Sequence, residues 1–215
     1  MDIYPEFNDA DGYYNRGNAR FKLGDNRGAI EDYTRALYLR PNDGDAYYNR
    51  GNARFELGDK QGAIEDYTQT IRLVPDFAKA YVNRGNARFE LGDKQGAIED
   101  YNQALWLSPD DGDTYYNRGN ARFELEDRQG AIEDYTQTIR LAPDFSKAYV
   151  NRGKARFELE DKQGGIEDYN QSLRLSSSDE IAYYNRAIAY FELGYKEEAS
   201  KDFIKVILLS CRKLT

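Results

Sequence analysis

The chain has 215 residues, 40 % hydrophobic and 32 % charged, with 38 Asp and Glu against 30 Lys and Arg for a formal charge of −8. A charged fraction above the roughly 25 % of an average domain implies much solvated surface over a thin core, and the acidic balance argues against a nucleic-acid partner. Histidine is absent, which removes the commonest general base and the commonest metal ligand, and the single Cys211 cannot form an internal disulfide.

Residues 1–9 read as an N-terminal extension. Met1-Asp2-Ile3-Tyr4-Pro5-Glu6 has neither the basic nor the apolar region of a signal peptide. No apolar run approaches the roughly 18 residues that cross a bilayer; Val206-Ile207-Leu208-Leu209 is far shorter. A soluble, cytoplasmic protein without a membrane partner is the expectation.

From residue 10 onward the chain repeats itself. Asn-Arg-Gly begins at Asn15, Asn49, Asn83, Asn117 and Asn151, and Asn185-Arg186-Ala187 continues the series. Each step is 34 residues, which divides a single array, 10–215, into units 10–43, 44–77, 78–111, 112–145, 146–179 and 180–213. Residues 44–111 and 112–179 match at 56 of 68 positions without a gap, so a two-unit block has been duplicated. In the second unit the pattern predicts one helix from about Asp45 to Leu57 and another from about Gln61 to Leu73. Gly58-Asp59 ends the first and caps the second, and Pro75 follows the second as a stop. Pro41, Pro109 and Pro143 recur in the same place. No stretch alternates as a half-buried strand does, so the fold class is all-α.

Tyr47-Tyr48-Asn49-Arg50-Gly51-Asn52-Ala53, then Leu57-Gly58-Asp59, Ala63-Ile64, Tyr67, Leu73 and Pro75 resemble the tetratricopeptide repeat in spacing and in residue type, over six consecutive units. The resemblance implies stacked antiparallel helix pairs wound into a right-handed superhelical solenoid, with the first helices lining a concave groove. The residues agree with this. Gly51 and Ala63 let paired helices approach, and Tyr47, Ala53, Leu57, Ile64, Tyr67, Ile71 and Leu73 supply apolar surface that only stacked neighbours can bury.

Several columns depart from the family pattern. Arg16, Arg50, Arg84, Arg118, Arg152 and Arg186 replace a usual leucine, and Arg20, Arg54, Arg88, Arg122 and Arg156 follow four residues on. They lie opposite the groove-lining face, where unpaired charge is costly. Glu31-Asp32, Glu65-Asp66, Glu99-Asp100, Glu133-Asp134 and Glu167-Asp168 recur in step with them. A salt-bridge ladder is therefore expected in preference to an anion-binding stripe. The glycines at 28, 62, 96, 130 and 164 lie near the start of the second helices, where glycine costs roughly 0.5–1 kcal/mol against alanine, and the sequence offers no reason for them. Gly164-Gly165 and Ser176-Ser177-Ser178 mark the fifth-to-sixth junction as the expected soft point.

The first helices carry the candidate site. In the first, Asp11, Tyr14, Asn15, Asn18, Phe21 and Lys22 share one helical face by their spacing. The column Asn15, Asn49, Asn83, Asn117, Asn151, Asn185 is complete. The column Asn18, Asn52, Asn86, Asn120 gives way to Lys154 and Ile188. Each side-chain amide has a donor and an acceptor, so it can pair with a peptide group of an extended chain, as in the asparagine ladders of some tetratricopeptide superhelices; the alternative is that the asparagines brace neighbouring helices. Tyr14, Tyr48, Tyr116 and Tyr184, with the phenylalanines at 21, 55, 89, 123, 157 and 191, add aromatic contact. Glu56, Glu90, Glu124, Glu158 and Glu192 make one rim acidic. The lysines of the family's carboxylate clamp are missing from these places.

No metal spacing, phosphate loop, dinucleotide fingerprint or nucleophile elbow is present. Asp110-Asp111-Gly112-Asp113 reads as a turn with a helix cap and not as a calcium loop. The expected function is non-catalytic, without cofactor or metal: a scaffold that binds an extended polypeptide segment in its groove. The alternative is an array that self-associates, end to end or as a homo-oligomer through the C-terminal helix, whose Phe203, Ile204, Val206, Ile207, Leu208 and Leu209 exceed what a polar cap requires. A helical-repeat RNA binder is the third reading, disfavoured by charge.

Overall fold

The computed structural model describes residues 9–212 and contains twelve α-helices and no strand among them. The chain divides into two compact units, Met1–Pro109 and Asp110–Thr215. The first holds α1 (Ala10–Lys22), α2 (Asn26–Leu39), α3 (Gly44–Glu56), α4 (Lys60–Leu73), α5 (Ala78–Glu90) and α6 (Lys94–Leu107). The second holds α7 (Gly112–Glu124), α8 (Arg128–Leu141), α9 (Ser146–Glu158), α10 (Lys162–Leu175), α11 (Glu180–Glu192) and α12 (Lys196–Arg212). Consecutive odd and even helices pair as hairpins, and within each unit an even helix packs on the odd helix that follows: α2 on α3, α4 on α5, α8 on α9, α10 on α11.

Each hairpin turns in three residues. Gly24, Gly58, Gly92 and Gly194 take a left-handed conformation there, as a helix C-terminus commonly requires. Glu126 and Glu160 hold the same conformation, with φ of 65° and 66°. An aspartate follows and caps the second helix: Asp25, Asp59, Asp93, Asp127 and Asp161 accept from the backbone N–H of Gly28, Gly62, Gly96, Gly130 and Gly164. This supplies the reason for that glycine column. A Cβ at Gly62 would stand 2.2 Å from the Asp59 carboxylate, and the Gly62 carbonyl accepts from Arg54 Nη1 at 3.1 Å. The glycine leaves room for the cap and for the arginine to lie across it.

The core is one tyrosine deep. Tyr33, Tyr67, Tyr101, Tyr135 and Tyr169 are fully buried among alanines. Tyr67 lies flat across Gly51, where a Cβ would meet its ring at 2.8 Å. The sixth hairpin changes both partners together, with Ala187 in the glycine place and Phe203 in the tyrosine place.

The arginine columns form the expected ladder. Arg50 binds Asp66 through two hydrogen bonds of 2.9 and 2.7 Å, and Arg54 adds a third contact at 3.0 Å. The same set recurs with Asp32, Asp100, Asp134 and Asp168, and Arg186 binds Asp202. The aspartate alone takes this role, while the neighbouring glutamates Glu31, Glu65, Glu99, Glu133 and Glu167 stay exposed. The ladder also joins hairpins: Arg50, Arg84 and Arg152 donate to Thr34, Thr68 and Thr136 of the preceding one, and Arg186 to Asn170.

At the fifth-to-sixth junction Gly165 brings α9 and α10 close, since a Cβ there would meet the Gly153 carbonyl at 3.0 Å. Val150, Ile166, Tyr169, Leu173, Ala182 and Ala189 form a continuous apolar cluster across it. Asp179 replaces the proline turn's function by capping Ile181 and Ala182, so packing at the expected soft point is complete. Asp111 likewise caps α7 through Thr114, as a turn with a helix cap.

Candidate functional site

The odd helices present tyrosine, asparagine and phenylalanine on one face because those residues recur at three- and four-residue spacing. Asn49 Nδ2 donates to the hydroxyl of Tyr14 at 3.0 Å and to Asn18 Oδ1 at 3.0 Å. Asn18 Oδ1 also accepts from the buried Tyr33 at 2.8 Å. The same relay links Asn83 to Tyr48 and Asn52, with Tyr67 on Asn52, and Asn151 to Tyr116 and Asn120, with Tyr135 on Asn120. The asparagines thus brace one hairpin to the next. Burial holds the Tyr48 and Tyr116 phenols above their ordinary pKa, against the lowering by these asparagine hydrogen bonds, so both hydroxyls stay protonated in the relay.

The brace uses only half of each amide pair. The Oδ1 of Asn83 takes no part in it, nor does at least one N–H of Asn52, whose Nδ2 carries two hydrogens. Both residues line a depression of about 230 Å³ in the first unit, together with Phe21, Phe55, Glu56, Tyr67 and Asn86. Asn86 accepts from Tyr101 at 2.8 Å.

Other candidate residues stand differently. Asn15 is exposed on α1 and Asn117 half-buried on α7. Asn185 is half-buried on α11, where the brace position facing it holds Lys154. Tyr184 is half-exposed and edge-on to Phe203 at 6.1 Å. In the acidic column, Glu90 pairs with Lys60 at 2.9 Å, Glu192 with Lys162 at 2.9 Å, and Glu158 with Arg128. Glu124 is exposed on α7. Glu56 is exposed and forms no ion pair among the described residues. The basic residues that open the second helices, Lys60, Arg128 and Lys162, were not singled out by sequence reasoning. Their signal is their recurrence at one repeat position, 30 residues before the glutamate that each one meets.

Profiles described as TPR repeat match residues 17–58, 51–92 and 85–126, and profiles described as tetratricopeptide repeat match 112–145, 146–179 and 181–210. The chain belongs to the tetratricopeptide-repeat family. The curated proteins contain no match to it. Among solved structures, MamA is 25 % identical with a TM-score of 0.74, over 76 % of this chain and 96 % of that one. YrrB, described as a TPR protein with an unusual peptide-binding site, is 20 % identical with a TM-score of 0.74, over 84 % and 93 %. A tetratricopeptide repeat protein from Parabacteroides merdae is 22 % identical with a TM-score of 0.79, over 93 % and 79 %. The tetratricopeptide-repeat fold marks the chain as a scaffold for protein interaction. No helix among the described residues is long and apolar enough to cross a membrane.

Proposed function

We propose that this tetratricopeptide-repeat chain holds an extended polypeptide segment along the face of its first helices. The observation that carries the reading is the half-used amide pair Asn52 and Asn83. After bracing two hairpins, it retains an N–H donor and a carbonyl acceptor at the wall of the same depression. A peptide group needs that combination, one acceptor and one donor. The aromatic rings beside it contribute contact at small entropic cost. Peptide binding in YrrB, a protein of the same fold, accords with this use of the scaffold.

The test is a titration of the isotopically labelled protein with a pool of acetylated, amidated octapeptides of randomised sequence. The side-chain amides of Asn52 and Asn83 are expected to shift, and a double Asn52→Ala, Asn83→Ala variant to bind about tenfold more weakly. Asn151→Ala removes an equivalent brace in the second unit and serves as the stability control. Affinity within twofold of wild type in the double variant sinks the reading.

A second reading is favoured by one feature of α12. Internal second helices offer Thr34, Thr68, Thr136 or Asn170 to the next arginine, and the sixth hairpin has Ile204 in that place. Ile204, Ile207 and Leu208 are 57 %, 61 % and 56 % exposed and share a helical face. We infer self-association through this stripe. Light scattering across a concentration series should give the mass of a dimer that Ile207→Lys returns to a monomer; a monomer of constant mass in the wild type removes the idea.

A further inference from the structure

The two units treat the same place differently. In the second unit the Lys154 ammonium stands 4.7 Å from the centroid of the Phe123 ring, and Arg128 approaches that ring at 4.1 Å. The duplicated block makes the correspondence direct. Sixty-eight residues earlier, Phe55 stands for Phe123, Lys60 for Arg128, Glu56 for Glu124 and Asn86 for Lys154. Lys60 again covers Phe55, with its Nζ 3.1 Å from the ring centroid. The seat that Lys154 fills in the second unit has no internal ammonium in the first; there it opens into the depression lined by Phe21, Phe55, Glu56 and Asn86.

Charge points the same way. Every acidic-column residue preceded by a basic second-helix start in the printed pairs is neutralised by it: Glu90 by Lys60, Glu158 by Arg128, Glu192 by Lys162. The hairpin before Glu56 starts its second helix with Asn26. Glu56 therefore carries a carboxylate with no ion pair among the described residues, at the mouth of the depression. Lys60 is already engaged by Glu90 and by the Phe55 carbonyl, and Lys22, one hairpin back, makes no ion pair with Glu56 among the described residues. A lysine or arginine head arriving there would meet an anion and aromatic faces together, the combination that stabilises a partly desolvated cation.

We propose that the depression receives a lysine or arginine side chain of the bound segment, with Glu56 as its counter-ion and Phe55 and Phe21 as its aromatic seat. The chain carries its own replica of this contact in the second unit, where Lys154 does internally what the ligand does in the first. The proposal rests on the reading of the first-helix face as a peptide site and names the residue that site selects.

Two capped octapeptides that differ only in lysine against norleucine at one central position make the test, each titrated and followed at the amides of Asn52 and Asn83. The lysine peptide is expected to bind at least fivefold more tightly, and Glu56→Gln to erase the difference while leaving the norleucine peptide within twofold of wild type. Asn86→Lys copies the native Lys154 arrangement into the first unit and should lower lysine-peptide affinity at least fivefold. Equal affinity of the two peptides for the wild type, or a lysine preference that survives Glu56→Gln, overturns the proposal and leaves peptide binding itself standing. If neither peptide moves those amides, both the proposal and the peptide site fall.

Discussion

At Glu126 the chain asks a side-chain-bearing residue to do what glycine does in four other turns. With φ at 65°, its Cβ approaches the following carbonyl, a strain of roughly 1–2 kcal/mol, against which a glycine loses about 0.5–1 kcal/mol to the greater freedom of the unfolded chain. Glu126→Gly should therefore stabilise the protein by about 0.5–1 kcal/mol, seen as a higher urea midpoint at unchanged slope; a lower midpoint would contradict the steric account. The same scale shows what sequence could not deliver. The asparagine columns are plain in the letters, but which atom of each amide is spent on bracing depends on the reach of Tyr14, Tyr48 and Tyr116, residues 35 positions earlier. Glu56 differs from Glu90 because of Asn26 and Lys60, each 30 residues upstream. The letters are visible, and only packing makes them neighbours.

The hairpin is where periodicity was most informative. Helix boundaries, the capping aspartates and the arginine–aspartate ladder all follow from local spacing, because both partners of each contact lie within one repeat, 16 residues apart or fewer. The glycine opening each second helix stayed opaque in sequence because its cause is a collision, between a Cβ and a cap carboxylate, and a collision leaves no residue-type signature. Gly164-Gly165 shows the same limit in reverse. Two glycines in succession suggest looseness by propensity, yet Gly165 admits a closer helix approach and Ile166 is buried beside it, 3 % exposed. Burial differs along the ladder for a packing reason as well. The side chain of Arg16 is 47 % exposed and that of Arg50 is 13 %, since Arg50 reaches a preceding hairpin and none precedes Arg16 among the described residues.

Taken over the whole molecule, five hairpins each bury one tyrosine, and burial raises the phenol of Tyr33, Tyr67, Tyr101, Tyr135 and Tyr169 well above the ordinary range, with neighbouring charges adding to it. The folded state thus holds these protons longer than the unfolded chain, whose tyrosines release them near pH 10. Stability from this source is complete below about pH 10 and declines as pH rises toward the folded values. Near-ultraviolet phenolate absorbance should rise in two stages, exposed tyrosines first and the buried set only together with loss of helical circular dichroism. A single stage near pH 10 with helicity intact would show that the five rings are accessible.

The relay between hairpins carries a consequence for how such a chain can change. In the first unit the bracing bonds run from Asn83 to Tyr48 and Asn52 and from Arg84 to Thr68. Excision of residues 44–77 would present Asn83 with Tyr14 and Asn18, and Arg84 with Thr34, the same chemical groups that Asn49 and Arg50 now use. Every severed bond finds an equivalent mate, so recombination in steps of one hairpin rejoins a working seam, whereas a cut of any other length shifts amide against hydroxyl and breaks it. Glu56 and its vacant counter-ion would vanish with that hairpin, which makes the cation seat, unlike the braces, a property of one particular module.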